Sequence, residues 1–404
     1  MYQNIAILFA FAFVYSLVAG RLEHTPVAGA LVFTVFGLAV GPAGLSWLTL
    51  DVHAQSLRIL AELTLALVLF TDAANADLRV LKLNYAIPER LLAIGLPLTI
   101  LLGTGAATLL FPTLGINPCA LLATMLAPTD AALGKAVVSN PAVPPPIREG
   151  LNVESGLNDG ICVPVLLILL ELATEPTGGS WELVLGHFVE EIGIGFVVGA
   201  GLAFVGVRAL RFAAEHGWTT AVWQQLPAVA LAFTAFAATQ TLGGSGFIAC
   251  FVGGLVAGGL ARQQEQKHEV LLAAEGAGDI FALLTWVLFG AAVIGQALGQ
   301  LSWEVLAYAV LSLTAIRMVP VWVALAGTGI RADGRLFLGW FGPRGLASIV
   351  FAIIVLDASL PGSETLTAAV AWTVILSIVA HGLTASPLAD AFARRTGAVR
   401  TGIP

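Results

Sequence analysis

Apolar runs of about twenty residues recur along this chain with hardly a charge inside them, and few folds can accommodate that pattern. A helix of about 20 apolar residues crosses the hydrocarbon core of a bilayer. Thirteen such segments are expected, near residues 4–20, 26–41, 58–75, 90–111, 118–138, 149–173, 183–207, 221–242, 246–261, 278–298, 303–326, 336–356 and 365–388. Only 11% of the 404 residues are charged, against about 25% in a soluble domain. A large solvated surface is excluded, so the expected class is an all-α integral membrane protein. The net charge of −7 offers no basic footprint for nucleic acid. Cys119, Cys162 and Cys250 lie in apolar runs without paired or metal-ligand spacing, which makes them packing residues. No Lys or Arg precedes the first segment and Arg21 follows it, the pattern of a first span rather than a secretory signal.

Loop charges give an independent check on the segment count. Arg21, Arg79, Lys82, Arg90, Lys135, Arg148, Arg208, Arg211, Arg262, Lys267, Arg331, Arg335, Arg394, Arg395 and Arg400 fall after odd-numbered segments or in the tail. The alternate loops hold Arg58 alone, and Arg317 and Arg344 lie within segments. Cytoplasmic loops carry the positive excess. The expected topology in a cell membrane therefore has the N-terminus outside and the C-terminus in the cytoplasm. Residues 389–404 read as a short cytoplasmic tail, too short for a regulatory domain. The run NPAVPPP at Asn140–Pro146 is expected to be extended.

An odd count suits two six-helix repeats joined by one linking helix, the second inverted. The expected division of the 1–388 membrane domain is a first repeat over about 4–173, a linker helix at 183–207 and a second repeat over about 221–388. Segment 5 then corresponds to segment 12. Segment 5 reads TMLAPTDAALG, with Pro128 mid-span and Asp130 two residues on. Segment 12 reads GWFGPRGLASI, with Pro343 followed by Arg344. Interrupted spans at corresponding places in two halves point to a midplane binding site where helices 5 and 12 cross.

A charge at the bilayer centre costs about 2.5–3.5 kcal/mol, so intramembrane ionisable groups are functional candidates. Segment 6 concentrates them in NVESGLNDG, from Asn152 to Gly160. Ser155 and Asp159 are one turn apart and share a helix face, about 40° from each other, whereas Glu154 points about 140° away from Asp159. Pro128 removes a backbone donor and is expected to free the carbonyl four residues earlier. Thr129, Asp130, Ser155, Asp159 and freed carbonyls form an oxygen shell of the kind hard cations take. His and Cys are too sparse nearby for a transition-metal site.

The motifs TDAALGKAVV, REGLNVESGLNDG and FGPRG together resemble sodium/proton antiporters of the NhaP/NHE type, over nearly the whole chain. The resemblance implies a secondary antiporter, not an enzyme, with no cofactor beyond the transported ions. It implies a homodimer and exchange of sodium, or lithium, for protons. It makes Asp159 the central cation- and proton-binding carboxylate, with Asp130, Ser155 and Thr129 as companions and sodium held at Asp130, Ser155 and Asp159. Asn158 matches a residue bracing the crossed helices. Glu154 matches a glutamate in a buried ion pair; Arg317 is its expected partner and Arg344 the alternative. Arg344 is otherwise expected to offset helix dipoles at the crossing. Asp72 in LFTDAA matches a position often acidic in the family, and a third ion contact is assigned to it.

Burial disfavours a bare carboxylate, so Asp159 is expected to hold either a proton or a cation, and only the occupied site crosses. A potassium/proton antiporter of the same architecture is the nearest alternative. An intramembrane aspartyl protease needs two aspartates close enough to share a proton, whereas Asp159 here is flanked by Asn158. A channel or receptor leaves the paired broken helices unexplained. His187 and His381 read as packing histidines. The run GIGFVVGAG reads as close helix packing, and Trp181, Trp218 and Trp303 as interfacial anchors.

Overall fold

A computed structural model describes residues 2–22, 25, 28–48, 55–76, 86–130, 133, 135–138, 140, 143–174, 181–220, 223–260, 264–358 and 360–396. Arg79, Lys82, Arg262 and Arg400, and residues 141–142 of the proline-rich run, lie outside them. Among the described residues all regular structure is helical. The principal helices are α1 (Tyr2–Leu22), α2 (Gly29–Val40), α3 (Gln55–Asn75), α4 (Ile87–Leu110), α5 (Ile116–Met125), α6 (Lys135–Val138), α7 (Pro145–Thr174) and α8 (Trp181–Glu215). They continue with α9 (Leu226–Thr241), α10 (Gly246–Leu260), α11 (Gln264–Leu288), α12 (Trp303–Leu313), α13 (Ala315–Ala324), α14 (Ala332–Trp340), α15 (Leu346–Asp357) and α16 (Ser363–Thr396). Among the described residues seven helices are long and apolar enough to cross a membrane, and five further apolar helices have 10–17 residues. Each apolar segment read from the sequence contains helix.

The chain forms two compact units. The first comprises Met1–Arg58, Asn84–Ser155 and Leu283–Pro404, and the second Ile59–Leu83 and Gly156–Ala282. In the first, a core of Ile87, Leu91, Val143, Ile147, Val321, Phe337, Phe341 and Phe392 ties α4, α7, α13, α14 and α16 together. Phe337 stacks on Phe392, with ring centroids 4.5 Å apart. In the second unit helices approach closely through glycine. A Cβ on Gly199 of α8 would lie 2.3 Å from the Ala249 carbonyl of α10, and one on Gly258 of α10 would lie 2.2 Å from the Ala74 carbonyl of α3. With little hydrophobic drive between helices in lipid, small residues that admit such contacts supply the packing energy.

Two local expectations are corrected, and one span is kinked. Asn140–Pro146 is not extended throughout: α7 begins inside it, at Pro145, because proline is tolerated in a helix's first turn. The Thr124 carbonyl, expected to be freed by Pro128, accepts instead from the Ala127 N–H at 3.2 Å, as the end of α5 tightens from i−4 to i−3 bonding. Segment 11 remains one span, Trp303–Ala324, but is kinked at Thr314, with φ −113° and ψ −98°, between α12 and α13; no proline or glycine there announces the kink.

Candidate functional site

Both proline-marked interruptions are real breaks, and both lie in the first unit. Helix α5 ends at Met125 and the chain is non-helical through Asp130; α14 ends at Trp340 and α15 starts at Leu346. The breaks touch: the Asp130 N–H donates to the Pro343 carbonyl at 2.8 Å. They also exchange charges. Asp130 Oδ2 accepts from the Leu346 N–H at 3.0 Å, at the N-terminus of α15, and Oδ1 accepts from the Leu133 N–H at 3.3 Å. Arg344 Nη1 donates to the carbonyls of Ala127 and Pro128, at 2.9 and 3.1 Å, just beyond α5. A carboxylate thus stands at a positive helix end and a guanidinium at a negative one, the favourable sense for both dipoles. Carbonyls stripped of helical partners are satisfied by protein, as burial demands.

Gly345 lets this happen, because a Cβ there would sit 2.0 Å from Asp130 Oδ2. Arg344 is fully buried; its Nη2 also reaches the Ser312 carbonyl at 3.4 Å, and its backbone N–H donates to Ser377 Oγ at 2.7 Å. Ser377 lies 3.1 Å from His381 Nδ1, and His381 Nε2 lies 2.8 Å from the Trp340 carbonyl that closes α14. His381 is therefore a buried, hydrogen-bonded brace of the second break. Ser377 and Gly345 were not singled out from the sequence. A glycine directly after Arg344 was a readable signal; for Ser377 there was none.

Around the crossing, Ser155 Oγ donates to the Thr129 carbonyl. Glu154, on the other side of α7, takes Arg317 in a two-pronged pair, with Nη1–Oε1 at 2.5 Å and Nη2–Oε2 at 2.7 Å. Both side chains are 1% exposed. Arg344, the alternative partner, is engaged at the crossing. Space above Gly342 is filled by Arg317 Nε and Thr129 Cγ2, which lie 2.5 and 3.0 Å from where a Cβ would be. The ion pair therefore abuts the segment that carries Thr129 and Asp130.

The remaining candidates lie in the second unit. Asp159 and Asn158 continue along α7, 8% and 1% exposed. Their helix is held by Phe251 of α10, whose ring would lie 2.2 Å from a Cβ on Gly160. Asp72 of α3 meets α7 beside Gly156, 3.6 Å from a Cβ placed there, less than one turn from Asp159. Among the described residues no group of three or more His, Cys, Asp or Glu side chains suits a metal ion. The candidate ligands are oxygens, suited to hard cations. His187 is exposed and 3.8 Å from Glu171, away from these groups in sequence and chemistry.

Apolar helices, two broken segments with reciprocal charge capping, and buried carboxylates define an all-helical, multi-pass membrane protein of transporter type. The chain belongs to the sodium/hydrogen exchanger family, whose transmembrane region matches residues 7–391. That is a family of transporters, not enzymes. It is 25% identical to the K(+)/H(+) antiporter NhaP of Alkalimonas amylolytica, over 95% of this chain and 65% of that protein. It is 23% identical to the K(+)/H(+) antiporter NhaP2 of a Shewanella species, over 93% of this chain and 64% of the other. The chain thus spans just under two thirds of the length of these relatives. Its fold matches the sodium proton antiporter MjNhaP1 of Methanocaldococcus jannaschii with a TM-score of 0.79 at 19% identity, covering 97% of this chain and 99% of that one.

Proposed function

We propose that the chain is a monovalent cation/proton antiporter in which a proton and a cation compete for Asp159. Asp130, Ser155 and Thr129 complete the site, Asp72 adds a cation contact, and Asn158, Glu154, Arg317 and Arg344 brace it. The observation that carries this reading is Asp159 itself, a carboxylate only 8% exposed on an apolar helix, one turn beyond Ser155. A bare carboxylate in low dielectric is unfavourable. Occupation by either ion neutralises it and lets the site face the two sides in turn. An empty site does not cross, and that couples the two fluxes.

Potassium/proton exchange is the form that the NhaP and NhaP2 relatives support. Sodium, with lithium, is the second reading. It is favoured by a Na(+)/H(+) antiporter of Zygosaccharomyces rouxii, 26% identical over half of this chain. The proposed architecture is thirteen spans in two inverted repeats within 1–388, a cytoplasmic C-terminus and a homodimer in the cell membrane. A proteoliposome pH-jump assay with parallel potassium, sodium and lithium titrations tests the proposal. Asp159→Asn is expected to abolish cation-driven proton movement; exchange at the parent rate in that variant sinks it.

A further inference from the structure

Helix α8 carries a feature that cation exchange leaves unexplained. Near its C-terminus Arg208, Arg211, Phe212 and Glu215 line a cleft of about 310 Å³, a volume in the range of small-molecule sites. At 100° per residue these four side chains fall within roughly 60° of Arg208, on one helix face. The same face continues towards the N-terminus through Val205, Phe204, Gly201 and Val197. Val197 is 68% exposed and Val205 63%. No atom lies within 4 Å of where a Cβ on Gly201 would be, so the face is grooved there. From Arg208 to Val197 the helix rises about 16 Å, close to half of the roughly 30 Å hydrocarbon core. Beyond Val197 the face stays apolar through Ile194 and Gly193 as far as Glu190, so an uncharged helix face runs away from the charged cleft.

The cations are held in place without being used up. The Arg208 guanidinium lies over the Phe204 ring, 4.6 Å from its centroid. Arg211 Nη2 donates to the Leu260 carbonyl at the end of α10. A guanidinium has five N–H donors, so both keep donors for a further acceptor. Trp218 is 70% exposed and meets Phe212 edge-on at 5.4 Å; such aromatics mark the membrane–water boundary.

We propose that this cleft binds the headgroup of an aminophospholipid. Arg208 and Arg211 take the phosphodiester in charge-assisted hydrogen bonds, Glu215 takes the ammonium, and an acyl chain lies along Phe204, Gly201 and Val197. Glu215 decides the headgroup class: a purely anionic head would set a negative charge against its carboxylate, whereas a zwitterion places opposite charges on both.

The test is native mass spectrometry of the delipidated full chain, titrated with dioleoyl phosphatidylethanolamine, phosphatidylglycerol and phosphatidylcholine, and with inorganic phosphate as competitor. Phosphatidylethanolamine is expected to bind tightest. Arg208→Gln is expected to weaken it about tenfold, the size of one charge-assisted hydrogen bond. Glu215→Gln is expected to erase the preference for phosphatidylethanolamine over phosphatidylglycerol. Arg208 is the chosen cation because Arg211 also closes α10. Unchanged phosphatidylethanolamine binding in Arg208→Gln overturns the proposal. So does inorganic phosphate displacing the lipid at equal concentration, the mark of a simple anion site. A switch of Arg208→Gln from dimer to monomer with lipid binding intact overturns it as well, because the face is then a contact between two copies.

Discussion

Replacing Glu154 by Gln is expected to damage the fold far more than removing both members of its pair. Glu154 and Arg317 meet through two N–O contacts of 2.5 and 2.7 Å, and each side chain is 1% exposed. Neither charge has water to fall back on. Arg317 Nε is already buried without a hydrogen-bond partner, so the carboxylate supplies the compensation this guanidinium has. Taking one partner from a buried pair costs about 3–5 kcal/mol, most of it the burial of the charge left behind. Replacing both by apolar groups of similar size removes that charge too and is often neutral or stabilising. Glu154→Gln and Arg317→Met should therefore each lose about 3–5 kcal/mol, and the double variant Glu154→Met/Arg317→Met should lose much less than either. The assay is a double-mutant cycle on the purified chain, read by denaturant unfolding in detergent, with transport measured in parallel. Single variants as stable as the parent, or a double variant that loses the sum of the two, would refute the reasoning.

Gly345→Ala drives a methyl group to within 2.0 Å of Asp130 Oδ2, so the carboxylate must leave the α15 N-terminus; transport is expected to fall at least about tenfold in a protein that still folds, and a parent-like rate counts against that geometry. Arg344→Met strands the Ala127 and Pro128 carbonyls at about 1–3 kcal/mol each, measurable as lost stability in detergent; a variant of unchanged stability contradicts the capping role. Gly199→Val brings a side chain onto the Ala249 carbonyl at 2.3 Å and is expected to separate α8 from α10, seen as proteolytic sensitivity in the second unit, whereas the neighbouring Gly201→Val meets nothing and should be tolerated.

The broken segments were legible in the sequence because Pro128 and Pro343 interrupt otherwise apolar runs beside a charge. Helical spacing also separated Glu154 from the face of Ser155 and Asp159, so a distinct partner for Glu154 followed from the sequence. The family resemblance named Arg317 as that partner and Arg344 as the alternative, and the structure pairs Glu154 with Arg317, 163 residues away along the chain; helical spacing alone does not choose between the two. The dipole role of Arg344 at the crossing was expected from the sequence, and it caps the end of α5; that Asp130 caps the N-terminus of α15 was not legible, because spacing within one segment does not say which helix end a charge reaches. The Thr314 kink also left no trace. Threonine satisfies its own hydroxyl by bonding back to the Val310 carbonyl at 2.6 Å, a local option that bends helices without changing the apolar pattern. Helix α7 entered a proline-rich run because proline's missing N–H costs nothing in a first turn.

Competition between a proton and a cation is tested most directly by the pH dependence of the apparent KM for the cation in proteoliposomes, at saturating and limiting concentrations. Single-site competition predicts that KM rises about tenfold per pH unit on the acid side while the maximal rate at saturating cation stays constant. A KM that does not move with pH, with acid lowering the maximal rate instead, would mean that the two ions occupy separate sites.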